Sequence, residues 1–138
     1  MAAGAGGESV FDLERVVCRL TEVEPHGVRA FTIGAGAWPL RGFVVRVGDA
    51  VRGYVNRCPH AGHPLNLLPG RFLTPDGTLI LCSSHGALFE KDSGYCVAGP
   101  CAGRALTPVA LEVRSGFVVL ADGVDVSALA AALIDAAP

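Results

Sequence analysis

The chain alternates short β-branched, apolar runs with clusters of Gly, Pro, Asp and Ser, a rhythm of strands and tight turns. Glu14–Leu20, bounded by charges, predicts a first strand, and Glu24-Pro25-His26-Gly27 a turn returning it as Val28–Ile33. A Gly-rich loop follows, Gly34 to Leu40, with Trp38 as a packing anchor. Phe43–Val47 and Val51–Asn56 form the clearest hairpin, joined through Gly48-Asp49-Ala50. Beyond an irregular Pro64–Gly70, Arg71–Thr74 and Thr78–Leu81 flank the strong turn signal Pro75-Asp76-Gly77. Ala87–Glu90 and Tyr95–Val97 bracket Asp92-Ser93-Gly94, and Val109–Val113 pairs with Phe117–Leu120 across Ser115-Gly116. The pattern then becomes helical: Asp125 or Ser127 can cap a short helix through Ile134 with Val126, Leu129 and Leu133 on one face.

Many short strands at close spacing predict an all-β fold, an antiparallel β-sandwich or small barrel, with a short C-terminal helix. Residues 1–9 read as a flexible tail, 10–124 as one β domain, and 125–138 as a helix packed on it. A length of 138 residues supports one core but not two.

Composition narrows the classes of function. With 51% hydrophobic and 17% charged residues, the chain is globular. A formal net charge of −2 argues against a nucleic-acid partner. No apolar run approaches the roughly 18 residues of a membrane span. Met1–Ser9 lacks the basic start and apolar stretch of a signal peptide, so the expected compartment is the cytoplasm. Five cysteines, an odd number, make a poor disulfide framework; in a reducing compartment clustered Cys and His point to metal.

Two stretches carry that chemistry. Cys58-Pro59-His60-Ala61-Gly62-His63 offers Cys-x-His, and Cys82-Ser83-Ser84-His85 offers Cys-x-x-His. Between His60 and Cys82 lie 21 residues with a turn and an expected hairpin, enough to bring the stretches face to face. Each begins where a strand ends, so both can project from the same side of a rigid sheet. Two thiolates and two imidazoles suit a [2Fe–2S] centre with two ligands per iron. Neutral imidazole in place of anionic sulfur makes adding an electron easier and raises the potential, and an exposed second imidazole nitrogen couples electron to proton. The same set also suits structural zinc, although common zinc sites place two Cys or two His on each arm. Nucleophilic catalysis by one Cys/His pair would leave the other pair unexplained.

The motifs Cys58-Pro59-His60-Ala61-Gly62-His63-Pro64-Leu65 and Cys82-Ser83-Ser84-His85-Gly86 closely resemble the two cluster-binding boxes of Rieske iron–sulfur proteins, and Gly99-Pro100 resembles the proline loop covering the cluster. The resemblance spans about Val44 to Leu120. It implies that Cys58 and Cys82 bind one iron, that His60 and His85 bind the other through Nδ1, and that three β-sheets carry the cluster at one tip. It also implies a soluble Rieske-type ferredoxin, an electron carrier and not an enzyme, passing electrons between a reductase and a terminal oxidoreductase or oxygenase. Respiratory members carry an extra Cys in each box; the matching positions, His63 and Ser84, cannot form that disulfide. High-potential members place Ser and Tyr hydroxyls where this chain has Ala87 and Phe89, which implies a potential in the lower part of the roughly −150 to +300 mV Rieske range. A structural zinc domain, a cluster-less interaction subunit and a redox or iron sensor are the alternative functions. His63 is a modulator of the cluster, a contact to a partner or a solvated loop residue. Cys18 reads as a buried strand residue, Tyr54 as packing, and Cys96 and Cys101 as buried thiols or a pair that oxidises.

Overall fold

A computed structural model describes residues 15–24, 27–34, 39–59, 64–66, 71–83, 86–101 and 103–135, with helix side chains as far as Ala130. The strands are β1 (Val16–Arg19), β2 (Val28–Ile33), β3 (Leu40–Val47), β4 (Ala50–Val55), β5 (Leu79–Leu81), β6 (Leu88–Glu90), β7 (Cys96–Ala98), β8 (Pro108–Val109), β9 (Leu111–Arg114) and β10 (Phe117–Leu120); helix α1 (Val126–Asp135) closes the fold. They form three antiparallel sheets: A, ordered β1-β10-β9; B, β2-β3-β4-β8; and C, β5-β6-β7.

Sheet B is the wall the rest leans on. Along β3 the side chains alternate: Phe43 and Val45 enter one core, while Leu40 and Val44 enter another on the opposite face. In β4, Tyr54 joins the first core and Val51 and Val55 the second. This is the period of two that a strand buried on both faces requires. Sheet C closes the first core with Ile80 and Phe89, joined by Phe72 from the segment before β5; sheet A closes the second with Val118 and Leu120, and Val126 and Leu129 of α1 pack against it. Asp125 caps that helix, its Oδ1 accepting from the Ala128 amide at 3.0 Å.

Several expected boundaries shift. The turn between β3 and β4 holds two residues, since Ala50 already pairs with Val47. Leu40, expected in a loop, begins β3 and is buried. Leu20 leaves β1 for a 3₁₀ turn, Leu20–Glu22, whose Glu22 carboxylate accepts from the Arg19 amide at 2.8 Å. Arg71–Thr74 contributes one isolated bridge, Leu73 to Ile80, in place of a strand. There the Asp76 carboxylate accepts from both Thr74 Oγ1 (2.6 Å) and Thr78 Oγ1 (2.8 Å), a tip tied by side chains.

The expected strand Val109–Val113 is divided between two sheets. Val109 pairs with Gly53 in sheet B, and Leu111 begins β9 in sheet A. Gly53 permits the crossing: a Cβ there would lie 2.7 Å from the Val109 carbonyl oxygen and 2.6 Å from Leu111 Cδ1. Among the described residues no helix is long and apolar enough to cross a membrane. Residues 1–9, Glu14, Trp38, His60, His63, Ser84 and His85, named in the sequence reading, lie outside the described residues.

Candidate metal centre

The first motif leaves the β3–β4 hairpin. The Asn56 amide donates to the Arg41 carbonyl at 2.9 Å, extending the ladder one residue, and the Arg57 amide then turns back onto the Val55 carbonyl at 2.8 Å. Cys58 follows with its side chain fully buried. Asn56 organises both ends of this stretch. Its Oδ1 accepts from the Leu65 amide and its Nδ2 donates to Asn66 Oδ1, each at 2.9 Å. The sequence reading passed over Asn56, although an Asn closing a strand is the residue type that bonds nearby backbone.

The second motif leaves β5 directly. The Cys82 amide donates to the Ala87 carbonyl and the Gly86 amide to the Cys82 carbonyl, both at 2.9 Å, which folds the chain back into β6. Cys82 is likewise fully buried. The two motifs are tied directly, because the Ser83 amide donates to the Leu65 carbonyl at 2.8 Å.

A third segment, Gly99 to Arg104, spans both. Gly99 sits at φ +96°, and a Cβ there would meet Ala87 Cα at 2.8 Å, so this loop rests on the backbone that follows the second motif. Arg104 reaches the first motif, its Nη1 donating to the Pro59 carbonyl at 2.9 Å. Contact with Ala87 sets this loop beside the second motif, and Arg104 is a clasp the sequence reading missed.

Cys58 and Cys82 share one core with Phe43, Leu65, Phe72 and Ile80. Among the described residues no polar or charged residue is fully buried, so a thiolate here has no buried cation to balance it. Were these sulfurs thiolates, a bound metal would supply the balancing charge. Two thiolates with neutral imidazoles leave an oxidised [2Fe–2S] unit uncharged, which suits an apolar surround better than four thiolates would. Of the four expected ligands the described residues hold the two cysteines, and among them no group of three metal-ligating side chains converges. Cys101 lies close by: burial pushes its thiol up to about 12, aided by its hydrogen bond and charge repulsion with Cys96 and by repulsion from Cys58. Cys18 is a buried strand thiol in the other core, and Tyr54 is a packing residue, as expected.

Comparison with known proteins decides the family. The model of the Rieske [2Fe–2S] domain matches residues 14–118, well over half the chain. This chain belongs to the Rieske [2Fe–2S] family. Its cofactor is accordingly a [2Fe–2S] cluster, which selects iron–sulfur chemistry over zinc. Among solved structures, a chain of the complex of reduced oxygenase and oxidized ferredoxin in carbazole 1,9a-dioxygenase is 31% identical, with a TM-score of 0.60 over 77% of this chain and 99% of that one. The ferredoxin of carbazole 1,9a-dioxygenase from Nocardioides aromaticivorans IC177 is 24% identical (TM-score 0.60, 77% and 94% covered). The Sphingomonas yanoikuyae B1 ferredoxin is 22% identical (TM-score 0.57, 76% and 94% covered). These two share the fold. No curated protein matches the chain.

Proposed function

We propose that this Rieske protein is a one-electron carrier in the cytoplasm, taking an electron from a reductase and delivering it to a terminal oxygenase or related oxidoreductase. The observation that carries the reading is the pair of buried cysteines on two hydrogen-bonded motifs, within a fold shared with ferredoxins. The similar chain found in a complex of oxygenase and ferredoxin supports an oxygenase as the acceptor.

In this reading Cys58 and Cys82 hold one iron and His60 and His85 the other. The cluster supplies reversible one-electron chemistry with a potential raised by its neutral ligands. The protein supplies the rest. Asn56 and the Ser83–Leu65 bond fix the spacing of the two motifs. Phe43, Leu65 and Phe72 exclude water from the sulfur side. Ala87 and Phe89 bring no hydroxyl to the sulfurs, which keeps the potential in the lower part of the family range.

Visible absorption and reduced-state EPR of anaerobically purified protein test the reading. The expected result is a red-brown protein with about two irons per chain and the low average g value of a histidine-ligated cluster. Cys58→Ala, His60→Ala, Cys82→Ala and His85→Ala should each abolish that signal. A colourless protein with stoichiometric zinc or no metal overturns it.

A further inference from the structure

Two cysteines besides the proposed ligands face one another at the base of the covering loop. Cys101 Sγ donates to Cys96 Sγ at 2.7 Å, and Cys96 Sγ in turn donates to the Ala98 carbonyl at 3.3 Å. Both thiols are about 1% exposed, while the four residues between them, Val97, Ala98, Gly99 and Pro100, are exposed. The loop is also pinned at its neck, where the Arg104 amide donates to the Cys101 carbonyl and the Cys96 amide to the Arg104 carbonyl. Bringing the sulfurs to bonding distance, about 2.05 Å, needs a movement of roughly 0.7 Å.

We propose that Cys96 and Cys101 are a redox modification site: a dithiol that a low-molecular-weight disulfide oxidises to an intramolecular disulfide, locking the covering loop. One cysteine loses its proton and attacks the small disulfide, forming a mixed disulfide and releasing one small thiolate. The second cysteine, deprotonated in turn, attacks the protein sulfur of that mixed disulfide and expels the second small thiolate. Two protein thiols are oxidised, one small disulfide is reduced to two thiols, and the two protons pass to the leaving thiolates. Burial slows the first attack, so exchange proceeds through local opening of the exposed loop. The bond would close a short ring containing Gly99, the residue that rests on Ala87 beside the second motif. Oxidation therefore restricts the segment clasped to both cluster motifs, a consequence that rests on the cluster reading above.

The sequence makes the test clean, because trypsin separates the cysteines. Cys96 and Cys101 share the peptide Asp92–Arg104, whereas Cys18, Cys58 and Cys82 fall in three others. Purified holoprotein is equilibrated anaerobically in buffers of reduced and oxidised glutathione, quenched in acid, unfolded, alkylated and digested. The expected result is one two-electron transition, from a doubly alkylated Asp92–Arg104 peptide to an unalkylated one lacking two hydrogens. Double alkylation throughout, a persistent glutathione adduct, or a bond to another cysteine peptide overturns the proposal. In unquenched aliquots of the same equilibrations, cluster release to a chelator should be roughly tenfold slower in the oxidised form and unaffected by oxidation in the Cys96→Ala/Cys101→Ala double variant. Equal release rates in the oxidised and reduced native protein overturn the lock. A colourless protein with a protected peptide would sink the cluster reading and leave the disulfide standing.

Discussion

The two faces of sheet B support cores of different construction. On one face, Ile33, Val44, Val55, Val118 and Leu120 come from strands of four to eight residues held in hydrogen-bonded ladders. On the other, the strands of sheet C are three residues long, and the core draws on loops for Cys58, Leu65 and Cys101. Four of the five cysteines lie on this second face. Ladder hydrogen bonds position the core between sheets A and B; side-chain clasps from Asn56 and Arg104 and the short contact at Gly99 position the core beneath sheet C. The difference shows how a small β domain separates two tasks. Laddered strands supply a rigid base, and loops tied individually to it carry the candidate-ligand cysteines.

Matched truncations would break that comparison if it is wrong. Phe72 is fully buried and stacks on Phe43 with ring centroids 4.5 Å apart, in the core that holds Cys58 and Cys82. Leu40 is equally buried on the other side. Phe72→Ala should cost about 3–5 kcal/mol and Leu40→Ala about 2–5 kcal/mol. Denaturation followed by both visible absorption and far-UV circular dichroism separates them. In Phe72→Ala the cluster signal should vanish before the backbone signal; in Leu40→Ala the two should fall together. Identical behaviour in both variants would mean that the faces are not separable.

The same contrast explains what could be read in the sequence. Val28–Ile33 and the β3–β4 hairpin were legible because period-two burial and a tight turn are local signals. The helix was legible because Asp125 is a capping residue ahead of a helical apolar pattern. The division of Val109–Val113 between two sheets was not, because it depends on how closely Gly53 lets β8 approach β4, a contact across more than fifty residues of chain. Arg71–Thr74 reads as a strand because its composition allows one, yet only Leu73 finds a bridge partner among the described residues. At the candidate site, cysteine type and spacing single out Cys58 and Cys82 as expected ligands. The clasps did not announce themselves, since Arg104 acts across 45 positions through a backbone carbonyl that carries no side-chain signal.

A finer test moves from packing to the electronic properties of the site. Ala87 and Phe89 are fully buried, at and just beyond the turn that follows Cys82. Ala87→Ser and Phe89→Tyr would each place a hydroxyl where high-potential relatives have one. A hydrogen bond to charged sulfur that strengthens by about 1.4 kcal/mol on reduction raises a one-electron potential by about 59 mV. Each variant should therefore shift the midpoint upward by about that amount in protein-film voltammetry. Val118→Thr, a comparable change in the other core, should leave the midpoint where it is. A shift of similar size from Val118→Thr would show that the potential senses general destabilisation and not hydroxyls beside the sulfurs.

The smallest expected effect lies at Tyr54 on the shared wall. Its ring tilts against Phe43 with centroids 5.9 Å apart, and its hydroxyl donates to the Lys91 carbonyl at 2.8 Å, binding sheet B to the β6–β7 turn. Burial pushes its phenol up to about 12, with Asp92 and Glu90 adding to the rise and Arg52 opposing it. The folded chain thus keeps this proton where the unfolded chain, titrating near 10, has released it. That contribution is fully present below pH 10 and is lost as pH rises through about 12. Tyr54→Phe should cost about 1 kcal/mol at neutral pH through the lost hydrogen bond. Its stability should then decline less steeply than the native protein's between pH 10 and 12, measured as urea midpoints. Some slope remains in the variant, because Cys18 and Cys101 are thiols also raised by burial. Parallel declines in the two proteins would remove Tyr54 from the account of alkaline unfolding and leave those thiols to explain it.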